Sequence, residues 1–325
     1  MAFVAGCEQK VTTLEGPVAV KAESAQVAPT VQYADVTAPK IAGQRALAHV
    51  KALTEMGPRP VGSAAHKKME QYLVGKLAGA QLEDDRFEQQ TPLGKFAMRN
   101  IIAKYPGTKD GVVVLASHYD TKKLPNFVGA NDGGSSTAVL LAIGEQLRAH
   151  MKDGKREGFS VWLVFFDGEE ALDADINASD GLYGSKHLAQ KWKQDGTLNR
   201  TKAFILADMV GDQDLAVLRD ANSTPWLLDL IDAAAEKLGH QSHFFQYSSG
   251  MIDDHIAFKD AGVPIADLID FDYGFQNAFW HTPEDTADKL SPRSLEIVGN
   301  VMLQAVWMLD AHKSWIVLET RTTMR

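Results

Sequence analysis

Glu169 and Glu170 stand side by side where the apolar run Val161-Trp162-Leu163-Val164-Phe165-Phe166 stops on Asp167-Gly168. Adjacent carboxylates at the end of a buried strand repel, and resist joint ionisation unless a cation or a proton is held nearby. One can ligate a metal while its neighbour acts as a general base. Alone, the pair would read equally well as a solvated loop after a strand. Three further apolar runs end the same way. Residues 112–116 lead into Ser117-His118-Tyr119-Asp120 and then Gly129-Ala130-Asn131-Asp132. Residues 203–207 lead into Asp208-Met209-Val210-Gly211-Asp212, and residues 265–269 into Asp270-Phe271-Asp272 and, past a loop, Trp280-His281-Thr282. Four such endings point to a metal site. The only cysteine is Cys7, so the ligands are imidazole and carboxylate. A few of these with an open position describe catalytic zinc, whereas calcium asks for more oxygens from one compact loop.

The elements that position these groups follow from periodicity. Helical spacing covers residues 41–56, 64–77, 137–150, 184–192, 226–238 and 291–310. Two strands at 81–90 and 96–105 flank Pro92-Leu93-Gly94, a hairpin break. After it, short apolar runs alternate with helices, which predicts an α/β fold with a largely parallel sheet covered on both faces and the hairpin at one edge. Ligands of such sheets bind outside the carboxyl ends of the strands. Residues 1–39 read as a tether and 40–325 as a single catalytic domain.

The chain has 325 residues, 45% of them hydrophobic, and a net charge of -9. That balance offers no basic face to phosphate backbones and excludes nucleic acid as a natural partner. No apolar stretch reaches the roughly 20 residues of a membrane helix. Val4-Ala5-Gly6-Cys7 resembles the lipobox of bacterial lipoproteins, although no charged start and almost no apolar region precede it. Either the sequence begins inside a signal peptide or the match is fortuitous. The first reading puts a lipid anchor on Cys7 and the protein at a cell envelope, periplasmic or secreted.

Several segments together resemble the M28 zinc aminopeptidases and their relatives, the animal-type glutaminyl cyclases. They are Pro58-Arg59-Pro60-Val61-Gly62-Ser63, His118-Tyr119-Asp120, Asn131-Asp132, Asp167-Gly168-Glu169-Glu170, Tyr183-Gly184-Ser185, Asp208-Met209-Val210-Gly211, Asp253-Asp254-His255 and Trp280-His281-Thr282. The resemblance implies a three-layer α/β/α fold with a mixed, mostly parallel sheet. It places Asp132, Glu170 and His281 as zinc ligands and Glu169 as the general acid/base. His118 and Asp208 match residues that hold a second zinc in the aminopeptidases; otherwise they sit behind the first. Asp208 and Asp253 match a hydrogen-bonded pair of the cyclases. Phe166 to Glu170, Tyr183-Gly184-Ser185, the doubled Asp253-Asp254 and Trp280 before His281 look like the cyclase branch. Two positions differ from the vertebrate cyclases. The tryptophan after their paired glutamates has no counterpart, and Asp267 replaces a histidine, as in a bacterial-type member.

The implied reaction is conversion of the N-terminal Gln of peptides or proteins to pyroglutamate with release of ammonia, using one zinc. The alternative is a two-zinc aminopeptidase cutting the first peptide bond, and a third reading is an inactive binding module on the same scaffold. Trp280 reads as a pocket wall or as plain core. Asp253 reads as catalytic or as a cap on a helix starting near Asp254. Asp270 and Asp272 read as loop residues, and His66, His187, His240 and His243 as surface or packing histidines.

Overall fold

The computed structural model describes residues 33–312, residue 174 excepted. Cys7 and most of the tether therefore lie outside the described residues. Among the described residues the strands are β1 (Gln81–Thr91), β2 (Gly94–Tyr105), β3 (Gly107–His118), β4 (Arg156–Phe166), β5 (Thr201–Asp208), β6 (Val217–Asp220), β7 (Phe244–Ser249) and β8 (Ile265–Ile269). Seven α-helices lie among the described residues: α1 (Gly43–Thr54), α2 (Ala64–Lys76), α3 (Gly134–Ala149), α4 (Tyr183–Asp195), α5 (Pro225–Lys237), α6 (Ile256–Lys259) and α7 (Pro292–Ala311).

Side-chain alternation along β3 explains the layering. Val113 and Leu115 enter one core with α1, α3, α5 and α7, whereas Val112, Val114 and Ala116 enter a second with α4 and α6. Successive residues of a strand point to opposite faces, so a strand apolar at every position must be covered on both. The main sheet runs β1-β2-β4-β3-β5-β8. β4, β3, β5 and β8 are mutually parallel, while β2 joins β4 antiparallel and the β1–β2 hairpin forms the edge. The sheet is mixed and mostly parallel, as expected.

β3 lies between β4 and β5: the connection through α3 runs to one side of it and the next, through α4, crosses to the other, which opens a crevice at its carboxyl end. His118 is the last residue of β3. Two features depart from the sequence expectation. β6 and β7 form a small separate parallel pair, too short to register as periodic runs. The helix after Asp253 begins only at Ile256, and no side chain caps it. Asp253 is therefore not its cap; its carbonyl accepts the Ile256 amide and its carboxylate the Asp254 amide.

The second core anchors that region. Phe258 of α6 is fully buried, stacked on Phe204 at 4.2 Å and edge-on to Trp192 at 5.8 Å. A four-residue helix has little stability of its own, so this side chain fastens the Asp253–His255 segment to the sheet. Phe258→Ala is expected to lower unfolding stability by about 3–5 kcal/mol in urea titration. An unchanged midpoint would show that the segment is held elsewhere.

Candidate functional site

Each strand end delivers a different donor to one pocket of about 260 Å³. Asp132 precedes α3, Glu169 and Glu170 follow β4, Asp208 ends β5, Asp253 follows β7 and His281 lies beyond β8. All six line the pocket with Trp280. The volume is near the lower end of the roughly 300–1,000 Å³ common for small-molecule sites. It suits one side chain rather than an extended ligand.

His281 Nε2 is 3.2 Å from Asp132 Oδ2 and 3.4 Å from Glu170 Oε1. The other Asp132 oxygen is 3.3 Å from His118 Nε2, which is itself 3.2 Å from Asp208 Oδ1. Two overlapping donor groups result, Asp132–Glu170–His281 and His118–Asp132–Asp208, each with donor atoms within 4.8 Å. Asp132 belongs to both. The carboxylates of Asp132, Glu169, Glu170 and Asp208 are buried together, an arrangement that costs heavily unless cations or protons compensate it. His118 Nδ1 is buried without a hydrogen-bond partner. This donor chemistry fits a resident divalent metal with nitrogen and oxygen ligands.

The metal-free electrostatics follow from the same packing. Burial works against the charge of His281, but hydrogen bonds and charges from Asp132 and Glu170 prevail and raise its pKa to about 9. His118 is likewise pushed well up: burial opposes the charge, and Asp208 and Glu169 overcome it. Glu169 is driven well above the carboxylate range by burial, reinforced by Glu170, Asp253 and Asp254 against the opposing His118. Asp253 rises to about 6, mainly through burial and then Asp208.

Other residues hold the donors in place. Gly133 adopts φ 71, and a Cβ there would stand 2.8 Å from His118 Cε1, so only glycine lets Asp132 approach that ring. Asp285 accepts the Asn131 amide at 2.7 Å, the Asp132 amide at 3.1 Å and the Tyr273 hydroxyl at 2.8 Å. Arg59 is fully buried and donates to the carbonyls of Val128 at 2.7 Å and Gly129 at 3.1 Å. Lys122 donates its amide to Glu170 Oε1 at 3.1 Å. His281 and Met209 carry φ values of 54° and 50°, left-handed conformations that cost energy in non-glycine residues. Trp280 stacks on His281 with ring centroids 3.9 Å apart, which holds the imidazole flat against a pocket wall.

Sequence reasoning gave Arg59 no role beyond its motif and missed Asp285. Asp285 lies four residues after His281, and only the fold shows that it reaches back to Asp132. His66 is not a surface or simple packing residue: it is 2% exposed and bonded to Asp167 at 2.7 Å. Asp270 and Asp272 do lie in a loop, with Asp270 accepting the Ala216 amide.

Residues 100–306, more than half of the chain, match the sequence pattern of peptidase family M28. The chain belongs to peptidase family M28. Within it, a Drosophila melanogaster protein named glutaminyl-peptide cyclotransferase is 32% identical over 255 residues, 71% of each chain. The crystal structure of an Acidobacteriales bacterium glutaminyl cyclase superposes with a TM-score of 0.81 at 46% identity, covering 88% of this chain and 99% of that one. The Porphyromonas gingivalis glutaminyl cyclase gives a TM-score of 0.72 at 30% identity, over 82% and 98%. The three-layer fold of this M28 chain is thus that of the zinc aminopeptidase-like glutaminyl cyclases.

One prediction follows from the His281 pairing. Its pKa is about 6.5 when unpaired and about 9 in the folded, metal-free protein. The pairing therefore stabilises the metal-free fold fully below about 6.5, and the gain fades as pH rises through about 9. After chelation the thermal midpoint should fall across that interval, and the fall should flatten in His281→Gln. A residual slope from His118, which is also raised, is expected; a slope as steep in the variant as in the unsubstituted protein would contradict the pairing.

Proposed function

We propose that this M28 protein is a glutaminyl-peptide cyclotransferase, closing the N-terminal Gln of peptides or proteins to pyroglutamate with release of ammonia. The observation that carries the reading is the raised, pocket-lining carboxylate of Glu169 beside the Asp132–Glu170–His281 donor group, in a chain 46% identical to a glutaminyl cyclase. Asp132, Glu170 and His281 would hold one Zn2+, with His118 and Asp208 behind it. Bound there, zinc supplies Lewis-acid polarisation of the γ-carboxamide.

The α-amine of the substrate forms the new C–N bond to the side-chain carboxamide carbon, Cδ, while the bond from that carbon to the amide nitrogen breaks. Glu169 takes the proton that the amine releases and returns it to the departing nitrogen, which leaves as ammonia. Its upward-shifted pKa suits a group that both accepts and donates a proton. The α-amine titrates near neutrality, so a modest base is sufficient. Because nucleophile and electrophile belong to one molecule, most of the entropic cost of bringing them together is absent. The chain must add a bent pose and a dry wall, which Trp280 and Phe271 provide at 5.0 Å from each other. Asp208 and Asp253, both lining the pocket, would stabilise the leaving nitrogen.

The second reading, a two-zinc aminopeptidase, draws on the His118–Asp132–Asp208 group. In it Glu169 would activate water instead of an amine. The envelope location and the lipid on Cys7 rest on Val4-Ala5-Gly6-Cys7 alone, and the bacterial type rests also on Asp267 and on the missing tryptophan after the paired glutamates.

Paired variants test the assignment. Glu169→Gln should lower ammonia release from a Gln-initiated peptide by about 10²–10⁴-fold while zinc stays bound. Glu170→Ala should lose the zinc itself. Near-normal turnover in Glu169→Gln would remove Glu169 as the proton carrier.

A further inference from the structure

Behind the paired glutamates lies a second buried charged cluster that the reaction does not use. His66 occupies the first turn of α2, set there by Ser63, whose hydroxyl accepts the His66 amide at 3.0 Å. Its Nε2 is 2.7 Å from Asp167 Oδ1, and its Nδ1 is 3.6 Å from Glu70 Oε1. The ring stacks on Tyr119 with centroids 5.2 Å apart. Glu70 is also paired with Arg99 at 3.0 Å. The three acid–base groups lie close enough to suggest metal donors. However, the 2.7 Å contact is a direct hydrogen bond, opposite ring nitrogens face different carboxylates, and Arg99 already neutralises Glu70. The arrangement is an ion-pair network.

Packing alone does not account for this histidine. An apolar side chain would fill the same space without burying a polar ring, and a cation near a helix N-terminus opposes the helix dipole. What the ring does hold is Asp167, which is fully buried. Asp167 Oδ2 accepts the Arg99 amide at 2.8 Å, and the Asp167 amide donates to Asn100 Oδ1 at 3.1 Å. One residue further on, Gly168 takes φ 67, and its carbonyl accepts the Tyr183 amide at 2.9 Å. Glu169 then donates its amide to Asp120 Oδ1 at 3.2 Å, and its carbonyl accepts the Leu182 amide at 2.7 Å. The turn that aims Glu169 is therefore pinned at both ends of a glycine hinge. Glu170 has separate anchors in the Lys122 amide and His281.

We propose that His66 is a positioning residue: through Asp167 it fixes the Asp167-Gly168-Glu169 turn and so the direction of the Glu169 carboxylate, without holding the metal donors. The inference rests on the cyclotransferase reading for its kinetic arm and on geometry alone for its structural arm. Loss of the His66 hydrogen bond leaves Asp167 held by the Arg99 amide and Asn100 alone, which loosens that end of the turn and lets Glu169 shift while Glu170 stays in place.

The decisive comparison is His66→Phe, which keeps the ring stacked on Tyr119 and removes the donor, against His66→Gln, which restores a donor. In the zinc-loaded protein with a Gln-initiated peptide, His66→Phe should lower kcat by roughly 10–100-fold, the scale of a misplacement of about 1 Å. KM and zinc content should stay as in the unsubstituted protein, and His66→Gln should recover most of kcat. Should His66→Phe not fold, Asp167→Asn is the replacement, with the same loss of kcat at unchanged zinc content. Wild-type kcat in a folded variant, or kcat lost in proportion to zinc, would overturn the proposal. A crystal structure of the variant gives the arm independent of the reaction. Glu169 should shift by about 1 Å with Glu170 unmoved, and an unmoved Glu169 contradicts the role. If the unsubstituted protein releases no ammonia, the cyclotransferase reading fails, and this structural comparison still decides the positioning role.

Discussion

Desolvated negative charge governs this structure. The carboxyl ends of parallel strands place Asp132, Glu169, Glu170 and Asp208 within one buried pocket, with His118 and His281 between them. Water is excluded from most of these groups, so their mutual repulsion is not screened as it would be at a surface. The fold answers with imidazoles at 3.2–3.4 Å, backbone amides aimed at carboxylate oxygens, and a donor set suited to a metal. Asp132 is the centre of that answer, because its two oxygens face different histidines. The glycine at 133, the buried Asp285 and the strained backbone of His281 all serve to hold this one carboxylate and its partners.

Chemistry is divided among neighbours by what else each one touches. Glu170 is also raised, by burial and then by Asp132, but His281 opposes that shift, and with the Lys122 amide it fixes the carboxylate towards the Asp132–His281 donor group. Glu169 has burial and further carboxylates around it, which press it towards its protonated form. Two adjacent residues of the same type thus acquire separate roles. The division depends on a turn whose geometry is set outside the pocket, at Asp167.

Much of this was legible in the sequence because it is local. An apolar run followed by ionisable residues needs no partner to be recognised, and β3, β4, β5 and β8 lie where those runs are. The helices α1, α2, α5 and α7 likewise follow from spacing, and the last three start at Ser63, Pro225 and Ser291-Pro292. What escaped was set by distant partners. Asp285 gains meaning only when a loop folds back on Asp132, and Arg59 only when carbonyls 69 and 70 residues away reach its guanidinium. His66 read as a surface or packing histidine until the turn after β4 brought Asp167 against it, 101 residues along the chain. Asp253 resembled a cap because the sequence does not reveal that the helix starts three residues later.

Family membership and a shared donor set leave one distinction that matters most, whether the substrate's own amine or a water molecule attacks. Mass spectrometry of a Gln-initiated peptide incubated with the zinc-loaded protein separates the two. The account predicts a product of unchanged length, lighter by one ammonia. Release of the first residue, leaving a peptide one residue shorter, would contradict it.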